Sequence, residues 1–191
     1  NIFNINDFND HLNSLKIKYN IETTSTKNNV NNNTLYDVLK FLLRKKPMRS
    51  ASGILSVTII TAPFPNGQNF TCKWDCHYCP NEPAHKDNNW QAQPRSYLYL
   101  EPAVQRANRW NFHAINQMLD RMDSYFSNGH VIDQLELILE GGTYTNYPPD
   151  YLEVFHRDLF YSANIYFDLR NLYANYNNHN IGELNIEILE K

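Results

Sequence analysis

The run GILSVTIIT, from Gly53 to Thr61, is β-branched and apolar on both faces. A strand with no polar face has to be covered on both sides, the condition of a parallel sheet flanked by helices. A second strand is predicted in VIDQLELILEGG, where Leu135, Leu137 and Leu139 alternate and a glycine pair ends the run. Between them, PAVQRANRWNFHAINQMLDRMDSYFSNG reads as one continuous helix. Val104, Ala107, Asn111, Ile115, Met118, Met122 and Phe126 line one side of it, and Gly129 stands where a C-terminal cap belongs. A further helix is expected from Pro148 to Tyr161. The order strand, loop, helix, strand, GG turn, helix is the start of a βαβα series. It predicts an α/β fold with its site at the C-terminal ends of the strands. Two strands are too few to close a barrel, so the chain reads as the front portion of a larger domain.

Ahead of this lies a helical N-terminal extension, residues 1–46. Phe8, Leu12, Leu15 and Tyr19 repeat at helical spacing, and the Asn-rich linker TKNNVNNN follows. Thr34 and Asp37 resemble a capping box opening LYDVLKFLLRKK, whose Leu35, Leu39, Leu42 and Leu43 form an apolar stripe stopped by Pro47. Residues 47–191 form the second expected unit.

All three cysteines of the 191 residues fall in one window, Cys72, Cys76 and Cys79, spaced CxxxCxxC. Three thiols cannot all pair, so a reducing compartment is expected, hence a cytoplasmic location. No apolar run approaches the ~20 residues of a membrane span. Three uses of the thiols compete. A structural zinc would need a fourth ligand, for which His85 is placed. A redox pair of Cys76 and Cys79 is followed by Pro80, where thioredoxin-like motifs begin a helix. In an iron–sulfur site, three thiolates hold a 4Fe–4S cluster and leave one iron open. Placement in the long irregular stretch after the first strand, from Ala62 to Tyr99, favours the third use, because a connection of that length is usually functional.

The formal charge of −3 excludes a global attraction to nucleic acid, but its distribution is uneven. Lys40, Arg44, Lys45, Lys46 and Arg49 crowd into KFLLRKKPMR, a candidate phosphate-binding face for RNA. Arg95, Arg106 and Arg109 are candidates to extend it. Tyr97 and Tyr99 are candidates to stack on a base or cofactor, or to pack in the core.

CxxxCxxC with Tyr78 before the last cysteine, followed by a GG turn after the second strand, resembles the radical S-adenosylmethionine enzymes. The phrases KKPMRSASGI, CHYCPNEP, PRSYLYLEPAVQRANRWNF and GHVIDQLELILEGGTY are similar to the family of Elongator catalytic subunits, which modify the tRNA wobble uridine. The resemblance runs from Lys46 to Asp158. It implies the front portion of a radical-SAM-type βα barrel, a partial TIM barrel. It also implies that Cys72, Cys76 and Cys79 ligate a 4Fe–4S cluster whose open iron takes S-adenosylmethionine. Tyr78 would lie near the adenine, with Gly141, Gly142 and Thr143 around the cofactor; Glu140, which ends the second strand just before that turn, is by its position a candidate polar cofactor contact or a charge at an exposed strand end. Thr143 stands where the wider superfamily often has Glu. Acetyl-CoA would be the co-substrate, tRNA the acceptor, and other Elongator-like subunits the partners. A zinc-binding, non-catalytic RNA-binding module is the alternative.

Overall fold

The computed structural model describes residues 43–175, and side chains as far as Asn171. The expected helices before residue 43, the Thr34 capping box and Lys40 lie outside the described residues. The chain is α/β. β1 (Ile54–Ile60) and β2 (Gln134–Glu140) pair as neighbours in a two-stranded sheet. They run parallel: Ser56 Oγ donates to Glu136 at 2.7 Å, and further along Thr61 N–H donates to the Glu140 carbonyl at 2.9 Å. Among the described residues there are three α-helices: α1 (Pro102–Arg109) and α2 (Ala114–Ser127) between the strands, and α3 (Pro149–Asn175) after them.

The chain divides into two compact units. The smaller combines the segment ending at Leu55 with Ser124–Leu135, and the larger combines Ser56–Asp123 with the chain from Glu136 onward. In the smaller unit, the end of α2 is a Schellman-type stop. Gly129 has φ 83°, its N–H bonds the Phe126 carbonyl at 3.0 Å, and the His130 N–H reaches back to Tyr125 at 3.0 Å. The Tyr125 and His130 rings meet edge to face at 5.4 Å, and the His130 ring bonds Ser50 Oγ at 2.8 Å.

In the larger unit, the predicted continuous helix is two helices. Trp110–His113 separates α1 from α2, and Asn111 and Phe112 take left-handed φ values of 48° and 60°. The same stop is built here with asparagine instead of glycine. Asn111 N–H bonds Asn108 O at 3.1 Å, and Phe112 N–H bonds Ala107 O at 2.7 Å. The physical reason is Phe112 itself, which is buried in a cluster with Ile60, Val104 and Ala107. A straight helix would not bring Phe112 to these three residues. Asn111, expected on the buried side, is exposed.

α3 also differs from expectation, continuing to Asn175 and not stopping at Tyr161. Phe155, Leu159, Ser162 and Tyr166 form its buried stripe. Past Tyr161, Arg170 pairs with Asp123 of α2, and Tyr166 Oη donates to the same carboxylate at 3.4 Å. Burial pushes the Asp123 carboxyl up, against the pull of Arg170.

β1 carries the core of the sheet, with Leu55, Val57, Ile59 and Ile60 fully buried. Its edge away from β2 is occupied by side chains. The Gln117 amide accepts from Ile60 N–H at 3.1 Å and donates to Ile60 O at 2.9 Å. Arg106 donates to Thr58 O at 2.7 Å. Buried backbone groups need such partners, and here helix side chains stand in for a neighbouring strand.

Candidate functional site: the cysteine loop and the glycine turn

Both strands end at one rim. After β1 the chain enters the long loop with the cysteines; after β2 it makes the turn Gly141–Gly142–Thr143. The two segments touch with no room to spare. A Cβ on Gly142 would sit 2.3 Å from the Thr71 carbonyl oxygen and 3.0 Å from Cys72 Cβ. On Gly141 it would sit 2.0 Å from Thr61 Oγ1 and 2.3 Å from Tyr147 Oη. Glycine at both positions is therefore a packing requirement.

Tyrosine hydroxyls lie against the turn's amides. Gly142 N–H donates to Tyr147 Oη at 2.7 Å, and Tyr147 Oη bonds Thr61 Oγ1 at 2.6 Å. The Gly141 amide lies near enough to the Tyr97 hydroxyl to favour its charged form. Tyr97, half-buried against the Ile60–Phe112 cluster, is thus a core aromatic with its polar end on the turn. Burial, then the Glu140 charge, pushes its phenol up. Burial also pushes up the Glu140 carboxyl, with Glu101 adding to the effect and Arg106 opposing it. Thr61 and Tyr147 escaped the sequence reading. Their signal was positional: Thr61 ends β1 opposite the GG pair, and Tyr147 follows it closely.

The cysteine loop is clamped by a second turn, Pro94–Tyr97, closed by the Tyr97 N–H to Pro94 O bond at 3.1 Å. Arg95 N–H donates to Thr71 Oγ1 at 3.0 Å, and Ser96 N–H donates to Pro80 O at 3.1 Å. These two bonds grip the window at both ends. The Arg95 guanidinium pairs with Asp75 and reaches the Cys76 carbonyl at 3.4 Å, so Arg95 braces the loop and is not an open phosphate contact. Arg109 likewise pairs with Asp120 at 3.6 Å.

Glu82 organises the rest of the loop. Its carboxylate accepts from Tyr99 N–H at 2.7 Å and from Asn88 Nδ2 at 3.1 Å, and it meets His85 Nε2 at 3.1 Å. Burial pushes the Glu82 carboxyl up, but these donors more than offset it and hold it below the ordinary carboxylate value. Gln93, buried, joins the loop to α1 through a reciprocal amide pair with Asn108 at 3.2 and 2.7 Å. Tyr99 Oη accepts from Asn89 at 2.7 Å.

The three thiols are free and half-buried, and Cys79 N–H bonds the Cys76 carbonyl at 3.1 Å. Cys72 Sγ lies 3.0 Å from Thr143 Oγ1, and Ser96 Oγ donates to Cys79 Sγ at 3.1 Å. Burial pushes the Cys72 thiol up, but the Thr143 hydroxyl, the Trp74 and Thr143 backbone and the Arg95 charge hold it below the ordinary thiol value. Tyr78 is exposed. A hydrogen bond to Cys76, then the charges of Cys76, Cys79 and Cys72, push its phenol up. Among the described residues, no three His, Cys, Asp or Glu side chains are gathered tightly enough to hold a metal ion. Three thiols in one loop are soft donors of the kind that suit zinc or an iron–sulfur cluster, and two of them face hydroxyls. His85 is committed elsewhere. Its Nε2 meets Glu82 and its Nδ1 accepts from Asp87 N–H at 3.2 Å.

Beside the loop is a cavity of about 320 Å³, lined among others by Phe64, Phe70, Cys72, Glu82, Gln93 and Arg95. That volume is within reach of small-molecule sites. Of the basic run, Lys45, Lys46 and Arg49 are exposed in the smaller unit, and Arg44 is half-buried. Among the described residues, no helix is long and apolar enough to cross a membrane.

Comparison with known proteins bears out the resemblance to the Elongator family. The chain is 34% identical over 118 residues to Elongator complex protein 3 of Dictyostelium discoideum, covering 62% of this chain and 21% of that protein. The Saccharomyces cerevisiae protein of the same name is 34% identical over 119 residues, covering 61% and 21%. The human one is 33% identical over 122 residues, covering 64% and 22%. The chain thus spans about a fifth of the length of the curated relatives it matches. No family model matches it.

Proposed function

We propose that this chain, similar over three-fifths of its length to part of Elongator complex protein 3, carries the cluster-binding portion of a radical S-adenosylmethionine enzyme of tRNA wobble-uridine modification. The observation that supports this best is the contact at the rim. The only cysteines of the chain follow one parallel strand, and the first of them packs on the glycine turn that follows its neighbour, with Gly142 against Thr71 and Cys72. In this reading the two strands open a larger βα barrel.

Cys72, Cys76 and Cys79 would hold the 4Fe–4S cluster, with Tyr78, Glu140 and the Gly141–Thr143 turn near S-adenosylmethionine. When bound, the pair supplies one-electron cleavage of a sulfonium C–S bond, the start of radical chemistry that transfers an acetyl-derived group from acetyl-CoA to carbon 5 of uridine. The chain's own residues position and shield. Arg95 ties Asp75 and the Cys76 carbonyl together and keeps positive charge beside Cys72. Tyr147 occupies the Gly142 amide in place of water, and Tyr97 lies against that of Gly141. Lys45, Lys46 and Arg49, with Lys40 and Arg44, would meet tRNA phosphates, and other Elongator-like subunits would be the protein partners, in the cytoplasm.

Anaerobic reconstitution with iron and sulfide tests the reading. The expected product is brown, with ~4 iron and ~4 sulfide per chain, both lost on Cys72→Ala. A colourless protein that takes up one zinc overturns it. For the RNA half, affinity should fall steeply with salt, and neutralising the basic run should flatten that dependence.

A further inference from the structure

Two hydroxyls from outside the cysteine window point at its first and last sulfurs. Thr143, in the glycine turn, lies 3.0 Å from Cys72 Sγ. Ser96, in the clamping turn, donates to Cys79 Sγ at 3.1 Å. Their positions in the sequence are remote from the thiols they meet, so the fold itself makes the pairing.

The backbone at Ser96 adds an independent observation. Pro94–Tyr97 is closed by the bond from Tyr97 N–H to Pro94 O, and its third residue, Ser96, has φ 77°. That position in such a turn belongs to glycine, and a side chain there strains the backbone. Serine is held at a glycine position with its hydroxyl on a sulfur. At Thr143 the approach depends on Gly142, whose missing Cβ lets the turn lie against Cys72.

We propose that Thr143 and Ser96 are positioning residues that set the electron affinity of the group held by the cysteines, by donating hydrogen bonds to Cys72 and Cys79. This rests on the cluster reading above. A cysteine sulfur bonded to iron keeps lone-pair density that can still accept an O–H bond. When the cluster takes one electron from a chemical reductant such as dithionite, negative charge on its sulfurs rises. Hydroxyl donors stabilise that reduced form more than the oxidised one and raise the midpoint potential.

The test is a redox titration of the reconstituted 191-residue chain, followed by electron paramagnetic resonance. The variants are T143V, which keeps the shape and removes the hydroxyl, S96G, which suits the positive φ and removes the hydroxyl, and T143S, which retains it. A hydrogen bond to a charged group is typically worth enough for about a tenfold change in the reduced-to-oxidised ratio at fixed potential. That corresponds to a shift of about 59 mV to more negative values for T143V and for S96G. T143S should stay near the parent. A parent chain that loads its cluster, with unchanged midpoints in T143V and S96G, overturns the inference and leaves the cluster reading standing. A folded variant that no longer loads iron and sulfide also overturns it, since the hydroxyl would then hold the site together and not tune it. If T143V loses its helical circular dichroism, S96G alone decides, because Ser96 is exposed. A parent chain that takes up zinc and no cluster overturns both.

Discussion

The packed strand and helices and the cysteine loop are held by different physics. Around β1, α1, α2 and α3, side chains such as Ile60, Met118, Leu119 and Leu159 are almost wholly shut off from water. The loop from Ala62 to Glu101 has few such residues. It is held by Glu82, Arg95, Ser96 and the Gln93–Asn108 pair, each bond directed and several carrying charge. Apolar burial is non-directional and indifferent to pH, whereas a carboxylate hub titrates. The difference teaches that global stability and site geometry are separately adjustable here.

The largest expected effect is on the packed side. Met118→Ala should cost about 3 kcal/mol in denaturant unfolding, as other large-to-small core changes do. The alkylation rates of the three native thiols should not change. A matching rise in thiol reactivity would break the separation.

Gly142→Val attacks the contact between loop and turn. A branched side chain cannot share space with the Thr71 carbonyl, so the loop must move, at ~1–3 kcal/mol for overpacking. The expected signature is faster alkylation of Cys72 and poor iron loading, with the helical circular dichroism retained. Normal loading would show that the loop can retreat without harm.

Glu82→Gln should cost ~1–2 kcal/mol, because charge-assisted bonds to Tyr99, Asn88 and His85 are weakened together. Acid should mimic it. The folded carboxyl lies below its ordinary value, so its contribution is complete above the unfolded value and is lost as pH falls through the folded one. Hydrogen exchange at the Tyr99 amide should accelerate over that acidic window while amides of β1 stay protected. Equal acceleration in both would merge the two regions into one cooperative unit.

The smallest effect tests a helix stop. Asn111→Gly relieves a left-handed residue at φ 48° and should stabilise by ~0.5–1 kcal/mol. The thermal midpoint should rise by about 2 °C. A fall would mean that the Asn111 side chain contributes something its exposure does not suggest.

What was legible in the sequence follows the same division. The strands could be read because β-branching and alternation are local signals, and Gly129 could be read because glycine announces a left-handed stop. Asn111 announced nothing. The break there is dictated by the burial of Phe112 against Ile60, a contact between distant parts of the chain. The far end of α3 was missed for a similar reason, since Arg170 finds Asp123 on another helix. The cysteine window stood out by spacing, and its neighbour the GG turn by sequence. Their hydroxyl, tyrosine and arginine partners come from other elements, which no spacing rule connects to the thiols.

The side chains of Gln117 and Arg106 along β1 have a consequence for how this sheet can grow. With Thr58 O, Ile60 N–H and Ile60 O already engaged, that stretch of the margin is blunted against pairing with a further strand. A strand joining alongside β2 would not have to displace these side chains. Running parallel, it would finish next to Gly141–Thr143, so later additions would reach the rim from the glycine side, with the cysteine loop at the opposite margin. The fold is thereby polarised into a blunted flank and a receiving flank.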